Sequence, residues 1–286
     1  MKKTFTLPAI ALACLLSACA VQPKTTTSAQ TAAEAANYDP LDTPEAVAEM
    51  LRKAEAGDME AQVSACAFGL TSSAHYHPAD GGDSWCEKAA DRGNIYAMVD
   101  MSSRYDMALE RAPDPAKALY WIKRAATTKP DEKDIHAPEA YASLADAYEY
   151  GLMTLKPDAR QAVKWYTKAA EAGNSNAYMP LARLHESGIG TRQDFKAAAK
   201  WYTKSAEFGL ADGQCALARL YLKGQGVARD PAKAYFWDTV AALTNRKYER
   251  NDICTPGASW ITMQQFLTDE QRAKIDKEAA ARVAQP

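Results

Sequence analysis

The side chains that could do acid–base or metal chemistry are few and concentrated in one place. Of four histidines in the 286-residue chain, two fall in His75-Tyr76-His77-Pro78-Ala79-Asp80-Gly81-Gly82-Asp83, together with two carboxylates. Imidazole nitrogens and carboxylate oxygens are the ligands of a zinc-like ion, so this segment is the first candidate for a metal centre. Its spacing matches no fixed ligand pattern, and a Gly-Gly loop costs entropy to order, so it is read as an unusual loop without a metal. His136 lies among Asp131, Glu132 and Asp134 and is expected in a solvated loop. His185 stands where tyrosines stand in comparable segments and is expected to pack between helices. No G-x-S-x-G, H-E-x-x-H or phosphate-cradling glycine loop occurs. The sequence therefore predicts no catalytic residue, no metal and no cofactor.

Six cysteines remain to be placed. Cys19 ends Leu16-Ser17-Ala18-Cys19, behind a basic Met1-Lys2-Lys3 start and the apolar run from Leu7 to Leu16. A helix of that length rises only about 15 Å, half of a hydrocarbon core, so the run reads as the centre of a secretory signal peptide. The residues ending at Cys19 resemble the lipobox of bacterial lipoproteins. That resemblance implies cleavage before Cys19 and acylation of its thiol and new amino group; Cys14 lacks the aliphatic residue three positions upstream. Residues 1–18 are then a signal peptide and 19–42 a lipidated, Thr/Ala/Gln-rich tether with almost no large apolar side chains. Loss of Lys2 and Lys3 leaves the mature chain two charges more negative than the −2 of the full sequence. Ala20 after the cysteine implies, by the sorting habit of such lipoproteins in enteric bacteria, an outer-membrane anchor facing the periplasm.

The elements that must carry any site come from a repeat. A composition of 47% apolar residues with 34 basic and 36 acidic side chains is that of a globular chain with a core. It excludes a disordered, collagenous or polytopic membrane protein, and the net charge of −2 gives no reason to expect nucleic acid. Trp85, Trp121, Trp165, Trp201 and Trp237 are separated by 36, 44, 36 and 36 residues, the excess falling in the polar stretch Thr127 to Pro138. Around them recur AVKWYTKAAEAGN (162–174), AAKWYTKSAEFGL (198–210), ALYWIKRAA (118–126) and SWCEKAADRGN (84–94). A half-copy, AVAEMLRKAEAGD (46–58), with Glu49 in the tryptophan place, suits an opening cap.

Each unit reads as two helices. The first follows A-x-x-x-L-A-x-x-Y-x-x-G, as in AYMPLARLHESG (177–188) and GQCALARLYLKG (213–224). Positions 1, 5, 8, 9 and 12 share one arc and are expected to bury together. The second helix opens with Asp-Pro at 114–115 and 230–231, an N-cap followed by a helix-starting proline, with Asp158 and Asp194 in the equivalent place. Gly173 and Gly209 close it in the left-handed conformation that C-caps favour. Residues 245–286 leave the pattern; Thr268-Asp269-Glu270-Gln271 looks like a capping box opening a last helix through about Val283, which would cover the end of the stack.

This pattern resembles the Sel-one-like repeat family, relatives of the tetratricopeptide repeats, whose G-x-G-V-x-x-D-x-x-K-A loop stands nearly intact as GQGVARDPAKA (224–234). The first unit replaces that loop with residues 70–83, and the second has Ala108 for its glycine. The resemblance implies an all-α, right-handed superhelical solenoid of antiparallel helix pairs over 43–244, with a half-repeat cap at 43–57 and about five units. In such hairpins Cys66 and Cys86 face each other, which implies a disulfide contributing about 3 kcal/mol in the chain-entropy model. Cys215 and Cys254 are the remaining pair, as a disulfide or as free thiols. First helices line the concave side of such stacks, so Asp106, Asp146, Glu149, Arg183, Glu186 and Arg219 are expected on its floor, acidic in the middle with two arginines toward the C-terminal end. The implied function is a non-enzymatic adaptor binding a protein partner in the cell envelope, as a scaffold or as an immunity protein against an effector enzyme. The alternative is a protein that binds or hydrolyses cell-wall fragments or β-lactams, since cysteine-rich relatives have been associated with β-lactams.

Overall fold

The computed structural model describes residues 43–68, 82–107, 112–131, 134–247 and 265–284. Cys19 and its tether, the loop from His75 to Gly81, Ala108 and Cys254 lie outside the described residues. The described elements are all helices: α1 (Pro44–Glu55), α2 (Met59–Phe68), α3 (Asp83–Asp91), α4 (Ile95–Asp106), α5 (Pro115–Thr127), α6 (Ala137–Tyr150), α7 (Ala159–Glu171), α8 (Tyr178–Ser187, entered through a 3-10 turn at Ser175–Ala177), α9 (Phe195–Glu207), α10 (Ala211–Lys223), α11 (Pro231–Lys247) and α12 (Asp269–Ala284). No described helix is long and apolar enough to cross a membrane. The even-numbered helices α2 to α10 are the first helices of five units and the odd-numbered α3 to α11 the second. Each helix packs on its neighbours in the chain. First helices α2, α4 and α6 also touch one another in succession, more extensively than any two second helices do. First helices therefore occupy the inside of the curve and second helices the outside.

One aspartate organises each of the last four hairpins. Asp114, Asp158, Asp194 and Asp230 accept backbone N–H groups two or three residues on, capping α5, α7, α9 and α11. Their own N–H groups donate to the carbonyls of Tyr105, Tyr148, His185 and Tyr221 at 2.8, 2.8, 2.8 and 2.9 Å, tying each loop back to its first helix. The loop glycines have a second task. Gly190 and Gly226, at φ +74° and +72°, lie against the start of the preceding unit's second helix, Gly190 on Ala159 and Gly226 on Phe195.

The core is a spine of alanines between tryptophans and leucines. Positions 1, 5 and 8 of the first helices are buried, as at Ala177, Leu181 and Leu184. Position 9 departs from the sequence expectation, since Tyr148, His185 and Tyr221 are only half-buried. Position 2 is buried instead at Met98, Tyr178 and Gln214, because it sits between the two flanking second helices. Tyr178 stacks on Trp201, and Gln214 reaches the Ala206 carbonyl. His136 is another correction: it packs on the Tyr96 ring at 4.9 Å, since the insert folds back onto α4 rather than into solvent. Cys66 and Cys86 are joined in a disulfide with Cα atoms 4.7 Å apart, both fully buried between α2 and α3. Cys215 is also disulfide-bonded. At the C-terminal end the capping box forms, Thr268 and Gln271 exchanging backbone-to-side-chain bonds of 2.8 and 3.2 Å. Leu267 and Ile275, flanking and within α12, pack on Ala234 and Tyr235 of α11.

The junction between the fourth and fifth units contains a compensated pair. Where the other units have alanine at position 1 the fifth has Gly213, and where they have alanine four residues after tryptophan the fourth has Ser205, and these two meet. A Cβ on Gly213 would lie 2.5 Å from the Ser205 Cβ and closer still to its hydroxyl, which is buried without a partner. Gly213→Ala is therefore expected to destabilise by about 2 kcal/mol through overpacking, and Ser205→Ala to be neutral or stabilising by about 1 kcal/mol. The double variant should return close to the parent. Urea denaturation of the four proteins measures the coupling, and additive single effects would disprove it.

Candidate functional site

Two features stand on the inner face between α6 and α10: a ladder of charges and an apolar rim. Arg183 on α8 pairs with Glu149 of the preceding unit, and Arg219 on α10 pairs with Glu186 of α8, the latter through two bonds of 2.6 and 2.8 Å. Each glutamate also takes a tyrosine hydroxyl from the second helix of its own unit, Tyr166 at 2.8 Å and Tyr202 at 2.8 Å. The pairing follows from register. Position 10 of one first helix lies beside position 7 of the next, so acid and base about one unit apart meet side by side. Burial opposes the charge of Glu186, but Arg219 and Tyr202 more than offset it and hold the carboxyl below its usual range.

Asp146 completes the upper rung, as Tyr166 reaches both it and Glu149. A phenol has one proton to give, so both contacts are hydrogen bonds only when one carboxyl is protonated. Burial and the neighbouring Glu149 charge push the Asp146 carboxyl above its usual range against the Tyr166 hydrogen bond. Tyr166 is itself driven far above the usual phenol range, by burial first and then by Asp146.

The six side chains expected on the floor are thus arranged differently from the sequence picture. Asp106 is exposed and apart from the ladder, while Glu149 and Glu186 are largely buried beneath their arginines. The arginines are not a separate basic end; each neutralises an acid of the unit before it, because adjacent first helices interdigitate. Tyr166 and Tyr202 were missed, although the shared Trp-Tyr pair at 165–166 and 201–202 was a visible signal. Also missed was the apolar rim. Tyr150 is 59% exposed at the end of α6, within electrostatic reach of Arg183. Leu152 and Ile189 are exposed just after the helix-closing glycines of successive units. In the loop after α6, Met153 and the β-branched Thr154 take φ of +50° and +69°, a left-handed backbone that among the other described residues only glycines adopt.

A second polar cluster lies within the first two units and is structural. Arg104, buried on α4, donates to Asp100 at 2.5 Å, to Asp83 at 3.0 Å and to the Cys66 carbonyl at 2.9 Å. An Asp100 oxygen lies 3.4 and 3.3 Å from the Cys66 and Cys86 sulfurs. These three residues would be a ligand set for a metal, but the sulfurs are engaged in the disulfide. Burial raises the Asp100 carboxyl despite Arg104, and Tyr96 is pushed up to about 12 by burial and by the Asp100 charge.

Comparison with known proteins agrees with this architecture. The family model for the Sel1 repeat matches residues 84–94, 95–127, 138–174, 175–209 and 211–237. No curated protein matches the chain. A Sel1 repeat protein from Oxalobacter formigenes is similar in structure with a TM-score of 0.59 at 18% identity, over 84% of this chain and 97% of that one. A protective antigen of uropathogenic Escherichia coli displaying an SLR fold is similar with a TM-score of 0.49 at 20% identity, over 85% of this chain. This chain spans 57% of that protein's length.

Proposed function

The chain belongs to the Sel1 repeat family, whose members generally act as non-enzymatic protein-interaction scaffolds, and from that premise we propose that its inner face binds a protein partner in the bacterial envelope. The observation that carries this reading is the exposed Tyr150 within electrostatic reach of Arg183, with Leu152 and Ile189 exposed just after the glycines that close α6 and α8. Aromatic and arginine side chains set in an apolar surround are the residue types that concentrate binding energy at interfaces. Arg183, already held by Glu149, is pre-organised and loses little freedom when a partner arrives. The lipobox-like residues at Cys19 support a tether to the outer membrane with the solenoid in the periplasm. A scaffold and an immunity protein would both use such a face, the second against an effector enzyme whose gene would lie beside this one.

The test is in-cell crosslinking of the tagged full chain followed by mass spectrometry, alongside a Tyr150→Ser/Leu152→Ser/Ile189→Ser variant. These side chains are exposed, so the variant should melt as the parent does. One dominant captured protein is expected with the parent, and its loss with the variant. For the purified pair, removing Tyr150 alone should weaken binding ~30-fold, as for a central hot-spot residue. Capture unchanged by the triple variant would remove the inner face from consideration.

A further inference from the structure

The two sides of the solenoid differ in how their charges are used. On the inside, Arg183 and Arg219 are neutralised by glutamates. On the outside, Arg160, Lys164 and Lys168 follow one another at four-residue spacing on α7, and Lys196, Lys200 and Lys204 do the same on α9. Four-residue spacing places each trio along one stripe of its helix, and the two trios are equivalent by the 36-residue repeat. All six side chains are exposed, and none is in an ion pair among the described residues. The nearest aspartates, Asp158 and Asp194, are occupied as caps on backbone N–H groups, which leaves Glu171 and Glu207 at the far helix ends as the acids of these helices.

The patch is local. The equivalent places on α5 are Ala116, Tyr120 and Arg124, the last paired with Asp91, and on α11 they are Ala232, Phe236 and Val240. Part of it is braced on aromatic rings: Lys168 lies over Trp165 at 4.4 Å and Lys200 over Trp201 at 4.7 Å.

We propose that the outer faces of α7 and α9 dock on an anionic phospholipid surface. A convex body meets a plane along its crest, over two neighbouring ridges, and the full trios of unpaired cations stand on two neighbouring outer helices, α3 contributing only Lys88 at the equivalent of Lys168. Five of the six are lysines, compact hydrated point charges without the planar fork that selects a shaped carboxylate or a base. They form two rows of like charge with one exposed ring, Phe208, at the C-terminal end of α9, an arrangement that suits a diffuse two-dimensional charge bordered by apolar material rather than one shaped acidic group. Docked this way, the inner face with Tyr150 and Arg183 turns away from the lipid and stays open to the aqueous side. The charge argument stands without the partner-binding reading, and the test below contains no partner.

The experiment is co-sedimentation of the full chain with vesicles of phosphatidylcholine alone or mixed with phosphatidylglycerol. It is repeated with an Arg160→Gln/Lys164→Gln/Lys196→Gln/Lys200→Gln variant whose folding is checked by its melting curve. The N-terminal apolar run is common to both proteins, so any uptake it causes cancels in the comparison. Anionic vesicles are expected to bind the parent ~10-fold or more tightly than neutral ones, and the variant should lose that preference. Raising salt from ~0.05 M to ~0.5 M should abolish it, since the screening length contracts below the charge spacing. Equal binding to both vesicles, or a variant that keeps the preference, would overturn the proposal. Retention by single-stranded DNA as strong as by anionic vesicles would also overturn it, in favour of a general polyanion site.

Discussion

Arg104→Leu should lose about 3 kcal/mol of folding free energy at pH 7, enough to consume much of a small domain's margin. The guanidinium is 5% exposed and serves three acceptors at once, Asp100, Asp83 and the Cys66 carbonyl. Leucine fills part of the volume but leaves two half-buried carboxylates facing each other and a carbonyl without its donor, the costly way to break a buried ion pair. The loss should depend on pH in a defined direction. Burial already lifts Asp100 above its ordinary range with Arg104 present, and without the arginine it rises further. A carboxyl raised in the folded state binds its proton more tightly there than in the unfolded chain, so it destabilises above its folded pKa and is relieved below it. The gap between parent and Arg104→Leu should therefore be widest near neutrality and narrow as pH falls through the folded pKa of Asp100. Adding Asp100→Asn to the variant should recover part of the loss at pH 7. Urea titrations at several pH values measure this, and a gap that is constant with pH would show that lost packing, not charge, is responsible.

The second large effect is expected at a glycine. Gly226→Ala should destabilise by about 3 kcal/mol or more, because two penalties combine. At φ +72° an alanine sits in the left-handed region, and its Cβ would fall inside contact of the Phe195 carbonyl and 2.8 Å from the Lys196 nitrogen. Backbone cannot step aside as a flexible side chain can, so the junction between the fourth and fifth units must open. Gly190→Ala should behave alike, its Cβ falling 2.8 Å from that of Ala159 as well as on the Ala159 carbonyl. Gly209 supplies the control: at φ +95° its surroundings are empty to 4 Å, so Gly209→Ala carries the conformational penalty alone, about 1 kcal/mol. Thermal melts of the three variants separate the explanations. A Gly226→Ala protein no less stable than Gly209→Ala would refute the close approach between units.

Much of the architecture was legible in the residues because a repeat states the same local physics several times. Tryptophans at a nearly constant period, aspartate caps and closing glycines each specify helix ends by short-range rules, and four units repeat the same aspartate bridge to position 9. The cysteine pair was legible for the same reason, since a hairpin of known register brings Cys66 and Cys86 together. His136 and position 9 were misread because burial there depends on how the insert and the flanking helices fold back, which no single helix records.

The candidate site was only half legible. Its residue types could be counted along the first helices, so the six charged side chains were singled out by number. That Glu149 meets Arg183 and Glu186 meets Arg219 depends on the offset between neighbouring units, a tertiary quantity. So does the choice of which charges remain free: the same composition that pairs the inner arginines leaves six cations unpaired on α7 and α9. The sequence alone determined that the chain is a stack of helical hairpins, because caps, glycines and apolar period act within a unit. The tertiary structure alone decided which charges cancel, which apolar groups stay exposed and which face is inside. Those depend on distances of a few ångströms between units that the chain separates by more than thirty residues.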